Sequence, residues 1–259
     1  MYKFNREIYF DSVRNSLFYG DLNQGQVDGQ NAILDAWEKH RGPDQDMRFL
    51  AYELATTIHE TASTMLPIEE YGKGSGHDYG EPDPETGQTY YGRGFVQLTW
   101  RDNYARADSE AMTFFGVNPG IEWDAARALE PKIAAAIMFM GMEQGWFRGD
   151  SEGRQTLARY FNDNTDDPVN ARDIINGDIS KNGGLIAGYH ERFLDALTDA
   201  WEEYEPAPPV DLGEEGEEEH EHIPGISTEP EIEKEVLVAL TIPDGVKATI
   251  TVNGDYLSE

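Results

Sequence analysis

The chain has 259 residues, 39% hydrophobic and 11% aromatic, enough for one or two domains with a real core. It contains no cysteine, which excludes disulfides, cysteine-ligated zinc and thiol nucleophiles. Its net charge of −30 opposes binding to nucleic acid or anionic membrane, and no run of about 18 apolar residues offers a membrane span.

The charge is unevenly placed. Residues 202–235 hold 14 acids against one lysine, residues 236–259 carry −2, and residues 1–201 carry −15. Dense surface acid suits a salt-rich medium, where screening is strong, or serves solubility alone. The first residues, MYKFNREIYFDSVRN, are polar and charged and lack the apolar core of a secretory leader. Residues 1–201 read as a mainly helical domain. From Gln24 to Lys39, Val27, Leu34 and Trp37 share one helical face. From Met47 to Thr61, Leu50, Leu54 and Ile58 recur every four residues with Ala51 and Ala55 beside them, an amphipathic pattern. Residues 65–91 lose periodicity and are rich in Gly, Pro and Asp. A loop this long inside a compact domain tends to carry function.

Next, Val96, Leu98 and Trp100 alternate with Gln97, Thr99 and Arg101, which predicts a short strand. Pro131–Phe147 opens with proline at a first-turn position and is apolar nearly all round, as in a central buried helix. Asp167-Pro168 reads as the cap and first turn of a short helix through Ile175, ended by Asn176-Gly177. Ile186, Phe193, Leu197 and Trp201 mark a last amphipathic helix. Residues 202–235, with PAPP and GEEGEEEHEH, read as an acidic linker. In residues 236–259, Val236, Val238, Leu240 and Ile242 alternate and are answered by Val246, Ile250 and Val252 across Pro243-Asp244-Gly245. This predicts a β-hairpin that needs a partner, available for docking or self-association.

Three groups of residues point to chemistry. Glu60, in TTIHETAS, ends a helix beside the irregular loop, with no Lys or Arg near it in sequence. Such a carboxyl group suits a proton donor. A zinc-protease pair would need a second histidine four residues after His59, where the chain has Ser63. Glu69 and Glu70 in the following loop are candidates for a second carboxylate. Inverting glycoside cleavage uses two carboxyl groups about 6.5–9.5 Å apart with a water between them. Finally, residues 90–104, YYGRGFVQLTWRDNY, set Gly92 and Gly94 around Arg93, and Gln97, Thr99 and Asn103 supply the amide and hydroxyl groups that sugars require.

Taken together, HET at 59–61, YYGRGFVQLTWRDNY at 90–104 and ARDIINGD at 171–178 resemble glycoside hydrolase family 19, in its bacterial and phage endolysin branch, over about residues 6–200. The resemblance implies a lysozyme-like, two-lobed, mainly α fold and inverting hydrolysis without metal or organic cofactor. It implies Glu60 as general acid, Glu70 or Glu69 as base, and Thr99 as a holder of the attacking water. It places Gln97, Asn103 and Asn176 on the sugar, with Tyr91 and Arg93 shaping the cleft. The polymer expected is peptidoglycan, cleaved by an enzyme made in the cytoplasm and acting at the wall after release. Chitin is the alternative substrate, and a non-catalytic wall-binding or virion module is the alternative class.

Overall fold

The computed structural model describes residues 2–41, 44–115, 118–151, 153–203, 250–252 and 255–257. Among them are seven α-helices: α1 (Arg6–Ser16), α2 (Gln24–His40), α3 (Met47–Glu60), α4 (Arg101–Phe115), α5 (Pro131–Gln144), α6 (Leu157–Tyr160) and α7 (Gly184–Ala200). Ten strands of two or three residues accompany them: β1 (Tyr2–Phe4), β2 (Ile68–Glu69), β3 (Arg93–Gly94), β4 (Gly149–Asp150), β5 (Gly153–Arg154), β6 (Phe161–Asn162), β7 (Thr165–Asp166), β8 (Trp201–Glu203), β9 (Ile250–Val252) and β10 (Asp255–Leu257). They pair antiparallel as β1–β8, β2–β3, β4–β5, β6–β7 and β9–β10. The mainly α expectation holds.

The helices begin and end where local chemistry directs. The Asn5 side chain accepts the Glu7 and Ile8 N–H groups at the start of α1, and Asn23 and Gln26 form a reciprocal capping box on α2. Asp46 accepts the Arg48 N–H at the start of α3. Pro131 opens α5, and Gly145, in the left-handed region at φ 67°, stops it at Gln144 rather than at Phe147. The 131–147 segment is therefore shorter than its hydrophobicity suggests.

Two helices form the centre. On α5 every residue from Ile133 to Met142 is buried, as the all-round apolar pattern predicts. Every residue of α3 from Leu50 to Ile58 is buried as well, including Tyr52, Glu53, Thr56 and Thr57. The amphipathic reading of α3 thus fails, because its polar stripe is covered by neighbouring elements rather than by water. α7 packs across α3 and α1 across α7, while α2 and α4 lie against α5. This leaves the C-terminal end of α3 facing the connection that leads into α4.

Three helices escape the hydrophobic periodicity, α1, α4 and the four-residue α6, and Val96–Trp100 is not a strand. Arg93 and Leu98 exchange backbone hydrogen bonds of 3.1 and 2.9 Å, so the chain doubles back there, and Gln97 and Trp100 take φ of 56° and 74°. The alternation arises from a tight loop with Val96 and Leu98 turned into the core. The short helix predicted through Ile175 is a 3-10 turn over Asn170–Ile174. Its N-cap is Val169 rather than Asp167, and Asp167, two residues earlier, accepts the Asn170 N–H at 3.1 Å. Trp201 lies beyond α7, in β8, with its ring 5.1 Å from that of Phe4.

Met1–Ala207 forms one compact unit and Pro208–Glu259 a second. Of the acidic stretch 202–235, Glu202 and Glu203 belong to β8, and the rest lies outside the described residues. The expected hairpin arm 236–242, its turn at Pro243-Asp244-Gly245, and Val246 also lie outside them. Ile250 and Val252 lie in β9, which pairs with β10, Val252 opposite Asp255.

Candidate active site

The site starts from the way α3 ends. The Thr61 hydroxyl donates to the Thr57 carbonyl at 2.7 Å and accepts the Met65 N–H at 3.1 Å. The Ser63 N–H returns to the Ile58 carbonyl at 2.8 Å. Between these bonds Ala62, Ser63 and Met65 adopt left-handed backbone at φ 49°, 65° and 57°, a region that side chains disfavour. Met65 is fully buried. Its carbonyl sits so close to Gly29 of α2 that a Cβ there would stand 1.7 Å away. Glycine at 29 is the condition for this turn, and the turn fixes where α3 stops and Glu60 begins to face outward.

The loop 96–100 and the start of α4 form the next wall, backed by the ribbon of β2 and β3, with Glu69 opposite Arg93. The Gln97 side-chain amide spans the ribbon, donating to the Ile68 carbonyl at 3.1 Å and the Gly94 carbonyl at 3.3 Å. Gly92 packs closely beside it: a Cβ there would lie 2.8 Å from Gln97 Oε1 and displace that amide. The Thr99 hydroxyl donates to the Gln97 carbonyl at 2.8 Å, and Asn103 Nδ2 to the Thr99 carbonyl at 2.8 Å. The Trp100 N–H bonds the Tyr90 carbonyl at 2.9 Å, and the Trp100 carbonyl receives the Asn103 and Tyr104 N–H groups at the start of α4.

The third wall comes from residues 170–178. Arg172 is buried, with its side chain 3% exposed, and lies between two acids. Its Nη1 donates to Glu60 Oε1 at 2.5 Å and its Nε to Asp178 Oδ1 at 2.6 Å. Burial alone raises the pKa of Asp178, but hydrogen bonds from Arg172 and Asn182 outweigh it and hold the carboxyl below its ordinary value. The expectation that Glu60 lacks a basic partner is overturned: the partner arrives from 112 residues away. An ion pair this well enclosed fixes the orientation of the carboxyl group.

These three walls meet at a cavity of about 280 Å³. Its polar lining is Glu60, Gln97, Thr99, Asn103 and Asn176, and its apolar lining Val96, Trp100, Phe147 and Ile175. Five of the residues singled out in the sequence therefore share one cavity. The other four do not line it. Arg93 is buried and lies 3.6 Å over the Tyr91 ring. It donates to the Thr89 carbonyl at 2.8 Å and the Tyr104 hydroxyl at 3.2 Å. Arg93 and Tyr91 thus brace the ribbon from within. Glu69 Oε1 accepts the Tyr91 hydroxyl at 2.5 Å, and Lys73 Nζ lies 2.9 Å from Oε2. The hydrogen bond from Tyr91 first, and that from Lys73 next, hold the Glu69 carboxyl below its ordinary value. Glu70 accepts the Gly92 N–H at 3.1 Å and meets the Tyr79 hydroxyl.

Arg172, Asp178 and Trp100 belong to the site and were not singled out. Arg172 and Asp178 stand inside ARDIINGD, which carried a signal, but their link to Glu60 is made only by folding. Trp100 was assigned to an apolar strand face. Among the described residues no group of His, Cys, Asp and Glu is arranged to hold a metal, and no helix is long and apolar enough to cross a membrane.

No family model matches the chain, and no curated protein sequence matches it. Among solved structures the chain is similar to a bacterial family 19 chitinase, with a TM-score of 0.49, 20% identity, and 74% of this chain and 94% of that one covered. It is similar to a class IV chitinase of family 19 from Zea mays, with a TM-score of 0.46, 17% identity, and 78% and 96% covered. It is also similar to chitinase C from Streptomyces griseus, with a TM-score of 0.44, 20% identity, and 75% and 92% covered.

Proposed function

We propose that the chain is a glycoside hydrolase that cleaves β-1,4 aminosugar linkages, with peptidoglycan as its polymer. The observation that carries this reading is the placement of Glu60. It ends a buried helix, is clamped through Oε1 by Arg172, and opens onto a cavity whose other polar groups are the hydroxyl and amides of Thr99, Gln97, Asn103 and Asn176. As the acid, with Oε1 still accepting from Arg172, Glu60 carries its proton on Oε2 and gives it from there to the leaving glycosidic oxygen, and the carboxylate that results is the one Arg172 pairs with. Thr99 and Asn103 are held by their own backbone bonds, so their groups are preorganised for a sugar or a water.

Glu70 is the proposed base. It would take a proton from water on the opposite sugar face, giving inversion in one step. Glu69 is the weaker choice, because Tyr91, Lys73 and Arg93 already occupy its carboxylate. Glu69→Gln and Glu70→Gln, made separately, decide between them: the base variant loses turnover by about 10²–10⁴-fold. Purified peptidoglycan and chitohexaose digested side by side, with products read by mass and anomer, test the whole reading. Release of inverted muropeptide sugars supports it. Products from chitohexaose alone move the enzyme to chitin, and no products from either end the hydrolase reading.

A further inference from the structure

We infer that Trp100 is a stacking wall for one aminosugar ring beside Glu60, and that its face is set by an aromatic column running back through Tyr79 to His77. This rests on the hydrolase reading and names how the cavity would grip its ligand. Trp100 lines the cavity, yet the residue is 51% exposed. The indole thus stands half in water at the edge of a polar cavity. Its backbone is in the left-handed region at φ 74°, which a bulky residue avoids, and both its N–H and its carbonyl are bonded in place. Strain of this kind in a residue that is neither glycine nor a core anchor marks a position held for function.

The support behind the indole is built. Tyr79 meets Trp100 edge to face, with centroids 5.0 Å apart and planes at 81°. His77 stacks on Tyr79 at 4.9 Å, nearly parallel at 8°. The Tyr79 carbonyl accepts the Tyr90 N–H at 2.9 Å, and Gly74 packs so closely on the Tyr79 ring that a Cβ would lie 2.8 Å from it. The column is thus anchored at Trp100 and at Tyr79 before any ligand arrives, which lowers the ordering cost of binding. The chemistry it suits is a pyranose ring, with an apolar C–H face for the indole and polar edges for Thr99, Asn103 and Asn176.

The chain carries its own control. Trp123 is exposed to a similar degree, 58%, and does not line the cavity. Oxidative labelling of the Glu60→Gln protein, with mass readout per tryptophan, is run with and without chitohexaose and soluble muropeptide oligomers. The inference expects oligomer to protect Trp100 several-fold and to leave Trp123 unchanged. Trp100→Ala in the same background is expected to weaken oligomer binding at least tenfold by calorimetry, and Trp100→Phe to restore most of it. Equal labelling of both tryptophans while binding is measurable overturns the stacking wall and leaves the hydrolase reading intact. No binding to Glu60→Gln and no hydrolysis by the native chain overturns both. The labelling arm stands even if Trp100→Ala does not fold.

Discussion

The helical frame and the connection from α3 to α4 follow different rules. The frame is built from favourable local choices: asparagine and aspartate caps, a first-turn proline, a left-handed glycine stop. The connection contains six of the seven described non-glycine residues with positive φ, namely Ala62, Ser63, Met65, Lys73, Gln97 and Trp100. Left-handed backbone of this kind costs about 1–3 kcal/mol per residue and persists only where the surroundings over-determine it. Two of the six, Gln97 and Trp100, line the cavity, and the turn at 62–65 sets the end of α3. The frame supplies stability, and the connection spends part of it holding polar groups where relaxed backbone would not put them.

Replacing Glu60, at the seam between the two regions, is expected to have the largest effect. Glu60→Gln is nearly isosteric and should lower kcat on oligosaccharide by about 10³-fold with the melting temperature little changed. Activity within tenfold of the native chain removes Glu60 from the donor role. Arg172→Met should be almost as severe in a different currency. It leaves Glu60 and Asp178 facing each other without their cation, and breaking a buried pair costs about 3–5 kcal/mol, readable as a lower urea midpoint. A stability equal to the native chain would show that the clamp is dispensable.

Gly29→Ala strikes the seam from the frame side. Its Cβ would collide with the Met65 carbonyl, and overpacking of this kind costs about 1–3 kcal/mol. A neutral result would mean that the turn at 62–65 shifts freely. Glu53 tests the frame alone. It lies seven residues before Glu60 on α3, fully buried, with neither carboxyl oxygen hydrogen-bonded among the described residues. Burial, then the nearby Glu143, push its pKa well above the ordinary value. With a raised folded pKa, the proton is kept in the folded chain and lost from the unfolded one as pH climbs above about 4.3. Each pH unit in that window therefore costs folding about 1.4 kcal/mol. Glu53→Met should raise the urea midpoint more at pH 8 than at pH 5, and an equal gain at both would show that Glu53 does not titrate in the window.

The smallest expected effect is the most diagnostic of the contrast. An alanine in a helix is weakened by change to glycine, but Ala62 is exposed and left-handed. Ala62→Gly should therefore stabilise, by about 1 kcal/mol. Destabilisation would mean that the strain assigned to the turn is absent.

The frame was the more readable half. α2 and α7 declare themselves because burial imposes a period on their residues, α3 through the four-residue spacing of Leu50, Leu54 and Ile58, and α5 through its unbroken apolar run after Pro131. α1 and α4 do not, since α1 mixes its apolar residues with charge and α4 opens with Arg101 and Asp102 directly after the loop. The connection misleads for a physical reason. Alternation along Val96–Trp100 imitates a strand, and only the dihedrals of Gln97 and Trp100 show a loop. Motif residues such as Gln97, Thr99 and Asn176 were recognisable as chemistry-bearing. The contacts that assemble them were not, because the Arg172 clamp and the pinning of Met65 by Gly29 join segments far apart in the chain. Tyr91 and Arg93 carry the same motif but serve the interior of the ribbon, a distinction that side-chain identity does not contain.

The pairing of β1 with β8 has a practical corollary. Tyr2 stands opposite Glu203 and Phe4 opposite Trp201, so the two ends of the helical unit leave from one seam, about 5 Å apart. A few added residues could splice them. A circular permutant reopened elsewhere, at the exposed segment around Gly87 for instance, would keep every cavity-lining element in one piece and would place both new chain ends at that segment.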